Sequence, residues 1–342
     1  MGEPDSQHAT TEWASFGKKL RAAGATALSA LQGRTPKRLY HYTTFAGLDG
    51  ILSQTAIWAS DIRFMGDSSE LSYALDLVRK VVAAQTAHAT HEDLKELIAH
   101  APDPMVDPFG SGLARPCASC FCEDGDLLSQ WKRCRPGEVG YSLGLELQMI
   151  DEFWAPPDTV LRRVIYEESQ QRRITSALVR AWIEIAEAMM SRGVAFDRLF
   201  PDPAIPALNV ALSEPMLCFK DPACAGDAEW RLIKIIHLRD EIEPEEEQRT
   251  GNREARPPLP PGLPSPAERL DIRFRPTADG LVPYVEIPVL DRAGVFANRL
   301  PLAHVVQGRT SHPKLSAHAL ELYLDTRGYG SPHTTVQPSA IP

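Results

Sequence analysis

A chain of 342 residues, 43% of them hydrophobic, has apolar material for a substantial core in one large or two ordinary domains, which excludes disorder throughout. Its formal charge is -9, from 36 basic and 45 acidic residues, so the chain as a whole lacks the basic footprint of a dedicated nucleic-acid binder. No apolar run reaches the ~18 residues of a membrane span, and Met1-Gly2-Glu3-Pro4-Asp5 has neither a charged nor an apolar leader region, so the expectation is a cytoplasmic protein with no membrane partner.

In chain order, Glu12 to Leu31 reads as a helix with Leu20, Ala23, Ala27, Leu28 and Leu31 on one side, inside an N-terminal helical extension over residues 1–37. A main α+β domain is expected over 38–239. Leu39, Tyr40 and Tyr42 suit a strand, Thr43-Thr44 can cap a helix, and Phe45, Leu48, Ile51 and Leu52 form one apolar helical face. A second strand carries Trp58, and a helix opens at Asp67-Ser68-Ser69-Glu70 and runs through Ala84. A short helix over Glu92–Ala99 precedes a Pro/Gly-rich stretch, Pro102 to Pro116, expected as a loop. Then come a strand at Cys117–Cys122, a turn at Glu123–Asp126 and a helical turn at Leu127–Lys132. Strands are expected at Val139–Leu147 and Val160–Tyr166, a long helix at Glu167–Met190, and strands at Met216–Phe219 and Glu229–Ile236. Residues 240–268, acidic and then Pro-rich, read as a flexible insertion. Beyond it, strands at Leu270–Phe274, Val282–Ile287 and Leu302–Val306 and a helix at Pro313–Asp325 complete the same domain over 269–342. Strands and helices interleaved without strict alternation predict an α+β fold with a mixed, mainly antiparallel sheet and flanking helices.

Four of the six cysteines, Cys117, Cys120, Cys122 and Cys134, fall close together. The partner C-x-x-C of a tetrahedral zinc site is missing, so no metal is expected and the run reads as a buried strand of small residues. Walker-type loops, G-x-G-x-x-G, H-E-x-x-H and G-x-S-x-G are also missing, which lowers the case for common nucleotidases, dehydrogenases, zincins and serine hydrolases.

Three groups of side chains are candidates for a site. His41 ends a strand in the company of Tyr40, Tyr42, Thr43 and Trp58, aromatic faces and a hydroxyl that suit a ribose or a flat heterocycle. In Glu229-Trp230-Arg231-Leu232, alternation puts Glu229 and Arg231 on one strand face. Facing solvent they are a polar strand face; facing a cleft, Glu229 stabilises positive charge developing on a sugar. Ser129, Gln130, Trp131 and Tyr141 form the third group, each of which also has a plain structural use.

The segments Tyr40–Thr43, Ile57–Glu70, Cys120–Trp131, Glu229–Leu232, Pro283–Pro288 and Ser339–Pro342 together resemble the bacterial family called domain of unknown function 2971, from about residue 38 to the C-terminus; Gly66 stands where that family is expected to have asparagine. A more distant resemblance is to the ADP-ribosyltransferase fold. There a strand ending in His-x-Thr or His-x-Ser, a helix, a second strand, a helix opening with serine and carrying a tyrosine, and a later glutamate follow in the order of His41, Thr43, Trp58, Ser69, Tyr73 and Glu229. Tyr42 stands where that family usually has glycine. This resemblance implies that NAD is the substrate, that His41 and Thr43 hold its nicotinamide-side ribose and amide, and that Tyr73 or Trp58 stacks on nicotinamide. It further implies that Glu229 is catalytic, stabilising an oxocarbenium-like transition state. The activity implied is an ADP-ribosyltransferase or NAD glycohydrolase of toxin or phage-defence type. Its acceptor would be protein, nucleic acid or water, and a partner protein would come from a neighbouring gene. Two other readings stand beside it: a non-catalytic nucleotide- or protein-binding module that keeps the pocket, and a nuclease with Asp61, Asp67, Glu70 and Asp126 around a metal.

Overall fold

The computed structural model describes residues 6–65, 69–100, 114–133, 138–146, 159–200, 204–237, 272–277, 280–288 and 299–341. Ten strands build one sheet: β1 (Leu39–Thr43), β2 (Ala56–Asp61), β3 (Ala114–Cys122), β4 (Tyr141–Leu145), β5 (Thr159–Arg163), β6 (Glu229–His237), β7 (Arg273–Thr277), β8 (Gly280–Pro288), β9 (Leu302–Gln307) and β10 (Thr335–Pro338). The helices are α1 (Ser6–Gln32), α2 (Phe45–Gln54), α3 (Ser69–Ala84), α4 (Glu92–His100), α5 (Leu128–Trp131), α6 (Glu168–Met190), α7 (Phe196–Leu199), α8 (Ala204–Leu217) and α9 (Pro313–Thr326). Every strand pairing is antiparallel except that of β9 with β10. The expected mixed, mainly antiparallel α+β architecture is therefore the one observed.

The sheet forks at β3. On one edge β6 pairs with β3 along its whole length, from Ala114↔His237 to Cys122↔Glu229. The other edge is divided: β2 takes Cys117 and Ala118, and β1 takes Cys122. Between those contacts lie Ser119, Cys120 and Phe121. One arm of the sheet continues from β1 through β4 and β9 to β10, the other from β2 through β8 to β7. Helix α2 joins the arms with one residue at each junction. Thr44 caps its start, accepting from the Gly47 N–H, and Thr55 closes its end at a left-handed φ of 51°.

Helices α1, α3, α4, α6 and α8 form a second layer around the buried Leu28, Val78, Leu178, Trp182 and Leu212. Helix α1 belongs to this layer: its Leu20 and Leu28 are fully buried, so this helix is built into the core. A separate apolar set, including Leu39, Ile51, Phe121, Leu143 and Leu324, fills the space between the sheet and helices α2 and α9.

Three sequence expectations need correction. Met216 and Leu217 end helix α8, so the expected strand at Met216–Phe219 reduces to a single bridge between Ile165 and Phe219. Prolines at 206 and 215 run through that helix: Pro206 falls in its first turn, where the N–H has no intrahelical partner to lose, whereas Pro215 lies inside the helix and gives up a bond there. The expected loop at Pro102–Pro116 stops short, because β3 begins at Ala114; Pro116 precedes the point where β2 joins. β10 was not anticipated, and its short, exposed Thr335–Pro338 carries little apolar pattern. Residues 240–268 lie outside the described residues.

Because α1 shares the helical core, Leu28→Ala should lower unfolding free energy by about 2–5 kcal/mol in urea titration, as a fully buried leucine does; a change near zero would mean that α1 is not part of the folding unit.

Candidate functional site

A cavity of about 690 Å³ opens where the arms of the sheet part, a size typical of small-molecule sites. His41 and Thr43 reach it from β1, Trp58 and Ser60 from β2, Ser119 and Cys120 from β3, Glu229 from β6 and Arg275 from β7. Sequence positions more than two hundred residues apart thus share one wall.

The fork itself sets the state of His41. Its Nδ1 lies 2.9 Å from the Cys120 carbonyl oxygen, which only accepts, so Nδ1 donates and the lone pair rests on Nε2. Burial lowers the imidazole pKa, the Cys120 bond opposes this, and the nearby Arg275 cation lowers it further. His41 is thereby kept as a neutral hydrogen-bond acceptor, the form that holds a hydroxyl. Next to it, the Tyr42 hydroxyl donates to the Asp124 carbonyl at 3.0 Å and accepts from the Leu127 N–H at 2.8 Å. Its ring meets Trp131 edge-on at 4.8 Å. Tyr42 therefore clamps the turn at the cavity edge, a task glycine could not perform.

Helix α2 approaches both arms closely through two glycines. A Cβ on Gly47 would stand 2.0 Å from Thr43 Oγ1, and one on Gly50 would stand 2.2 Å from the Trp58 ring. Trp58 is oriented by its indole N–H donating to Gln54 at 2.8 Å and by the Tyr284 ring at 4.8 Å.

Glu229 lies at the centre of a buried ion network. Its Oε1 accepts from Arg231 at 2.6 Å and its Oε2 from Lys220 at 2.7 Å. Glu70, from α3, binds the same two cations, Arg231 at 2.6 Å and Lys220 at 3.0 Å. Asp227 receives Lys220 at 3.3 Å and the Ser129 hydroxyl at 2.9 Å, and Arg133 reaches it from the cavity rim at 3.4 Å. Burial would raise the Glu229 carboxyl, but Arg231 and Lys220 reverse this and hold it at about 2. Lys220, which burial alone would lower, is raised by Glu229 and Glu70. Such a set is costly to desolvate and is retained only with full mutual pairing. The residue before Glu229, Ala228, takes a left-handed φ of 42°, a strained turn that aims the strand start into the network.

Alternation along β6 put Glu229 and Arg231 on one face, and the structure places both there, 3% and 2% exposed. Cys120 and Cys122 share that face across the ladder. Burial raises both thiols, Cys122 to about 12, as it does Cys117, so these cysteines pack as protonated side chains. Cys134 lies outside the described residues.

Other candidates sit elsewhere. Tyr73 is turned into the helical layer, its hydroxyl donating to Gln171 at 2.7 Å, and does not line the cavity. Its place on α3 points it at α6, so any stacking on a ligand falls to Trp58. Ser69 opens α3, its side chain lying outside the described residues. Trp131 donates to Asp126 at 2.7 Å and supports Tyr42 from behind. Ser129 and Arg231 belong to the ion network, and Gln130 and Tyr141 line the cavity. Of the carboxylates considered for a nuclease, Asp61 pairs with Arg63 and Arg115, Glu70 with Lys220 and Arg231, and Asp126 with Trp131 and the Ala340 N–H. These occupy three separate networks, and Asp67 lies outside the described residues.

Sequence reasoning missed Lys220 and Arg275. Neither sits in a motif: one follows a helix end and the other lies on the edge strand β7, so only the fold brings them to the site. Compared with protein-family models, curated proteins and solved structures, the chain matches none.

Removing one partner of the network leaves buried charges unmatched, so Lys220→Met should cost about 3–5 kcal/mol in urea titration; a loss below about 1 kcal/mol would show that the pairing carries little stability. Because Glu229 is held below its ordinary value of 4.5, its contribution is complete above that pH and is lost as pH falls toward about 2. Urea midpoints of wild type should therefore fall over this acid range, and Glu229→Gln should flatten the decline; parallel profiles would contradict the assignment.

Proposed function

We propose that this protein cleaves the ribose–nicotinamide bond of NAD, as an ADP-ribosyltransferase or NAD glycohydrolase, with the cavity at the fork as its site. The reading rests on one observation: His41, Thr43, Trp58 and Glu229, in the order that resembles the ADP-ribosyltransferase fold, all line a single cavity. The likeness to domain of unknown function 2971 is part of the same proposal and adds no activity of its own.

In this mechanism the nicotinamide-side ribose lies against His41 and Thr43, and Trp58 stacks on the nicotinamide ring. Nε2 of His41 accepts from a ribose hydroxyl. Breaking the glycosidic bond releases neutral nicotinamide and leaves positive charge on the sugar. Glu229, kept ionised by its two cations, meets that charge with a fixed carboxylate that needs no reorganisation. Lys220 and Arg231 occupy one direction on each of its oxygens, and a carboxylate has further lone pairs to offer a ribose hydroxyl.

A second reading, a nucleotide-binding module without turnover, is favoured by those same two bonds. Cations beside Glu229 offset part of its field, and the network has a sufficient structural use in tying α3 to β6.

Nicotinamide release from NAD by the purified protein, with and without cell lysate as acceptor, separates the two. Glu229→Gln, confirmed folded by thermal melting, should reduce release on the order of a hundredfold or more. Dependence on lysate would identify a transferase. NAD binding by folded wild type without any release would select the binding module.

A further inference from the structure

Arg275 is the one cation on the cavity wall, among the described residues, that no carboxylate matches. It lies on β7 and reaches over β8, its NH2 group donating to Ser60 Oγ of β2 at 2.9 Å. Its Nε is buried and without a hydrogen-bond partner. The acids around it are committed elsewhere: Glu286 to Arg273 at 3.0 Å, Asp61 to Arg63 at 2.6 Å, and Glu229 to Lys220 and Arg231. Glu138, also on the wall, is exposed and makes no bridge to Arg275. The other arginine of the wall, Arg133, has Asp227.

A guanidinium with a buried, unsatisfied N–H is costly to maintain, and the planar donor fork matches the oxygens of a phosphate. Ser60 fixes its position. Trp58 stands two residues from Ser60 on the same strand and the same face, roughly 7 Å along β2, a separation that suits a stacked base or nicotinamide ring and the phosphate on its own ribose. We propose that Arg275 and Ser60 form the anion subsite of this cavity and that they take a phosphate group of a nucleotide. The subsite stands on the unmatched guanidinium; that its ligand is a nucleotide rests on the reading of the cavity given above. Burial lowers the Arg275 pKa, as expected of a cation waiting for its counter-ion.

Calorimetric titration with inorganic diphosphate, ADP and adenosine tests this in wild type, Arg275→Gln and Arg275→Lys. Wild type should bind ADP about tenfold or more tightly than adenosine. Arg275→Gln should abolish that preference and diphosphate binding while leaving adenosine affinity unchanged, and Arg275→Lys should fall between. Thermal melting confirms that each variant is folded, and the wild-type preference for ADP over adenosine needs no variant. Equal affinity of wild type for ADP and adenosine, phosphate binding unchanged in Arg275→Gln, or no diphosphate or ADP binding by wild type would each overturn the subsite. Arg275-dependent ADP binding without NAD consumption would reject the NAD chemistry and keep the subsite. NAD consumption with an unaltered KM in Arg275→Gln would do the reverse.

Discussion

One edge of β3 serves two strands, and the rest of the site follows from that division. Strand β6 occupies the opposite edge completely, so β1 and β2 are left to share what remains, one at each end. Two strands joined by a ten-residue helix with single-residue junctions cannot both pair along the same short edge. They diverge, and the gap between them is both the cavity and the reason that His41 must satisfy the Cys120 carbonyl. An unpaired backbone group inside a sheet is expensive. Here a side chain answers it, and the answer fixes the imidazole tautomer.

The ion network closes the other side of the same space. Lys220 and Arg231 are each held by more than one carboxylate, contributed by α3, β6 and the turn before β6. It therefore links the helical layer to the sheet at the wall of the cavity, and it keeps Glu229 charged in a place where an isolated carboxyl would be protonated. The structural use of this carboxylate leaves room for the chemical one proposed for it. A group locked in one geometry and one ionisation state is what electrostatic stabilisation of a short-lived cation requires.

Much of the fold was legible because it depends on local patterns. The Thr44 cap, the apolar face of α2 and the alternation of β6 are each written within a dozen or so residues, and they form where the pattern says, except that Phe45 of the α2 face is exposed. The errors arose where tertiary context overrode local signals. Helix α8 accommodates two prolines because its packing, against α1 and α6, outweighs their cost. Tyr73 followed His41 and Trp58 in plausible order, yet the rotation of α3 faces it toward Gln171.

What the residues determined alone is the chemical inventory and its local placement: a histidine on a strand, though at its middle and not at the expected end, a tryptophan on the next strand, a carboxylate and an arginine on one strand face. Short-range periodicity carries that information, since side-chain direction repeats every two residues in a strand and every 3.6 in a helix. Which groups meet was decided only by the tertiary structure. Lys220 against Glu229 and Glu70, and Arg275 against Ser60, depend on strand order and on the fork. Long-range pairing of that kind leaves no periodic trace in the chain, because it is set by which edges remain to be covered once the sheet has formed.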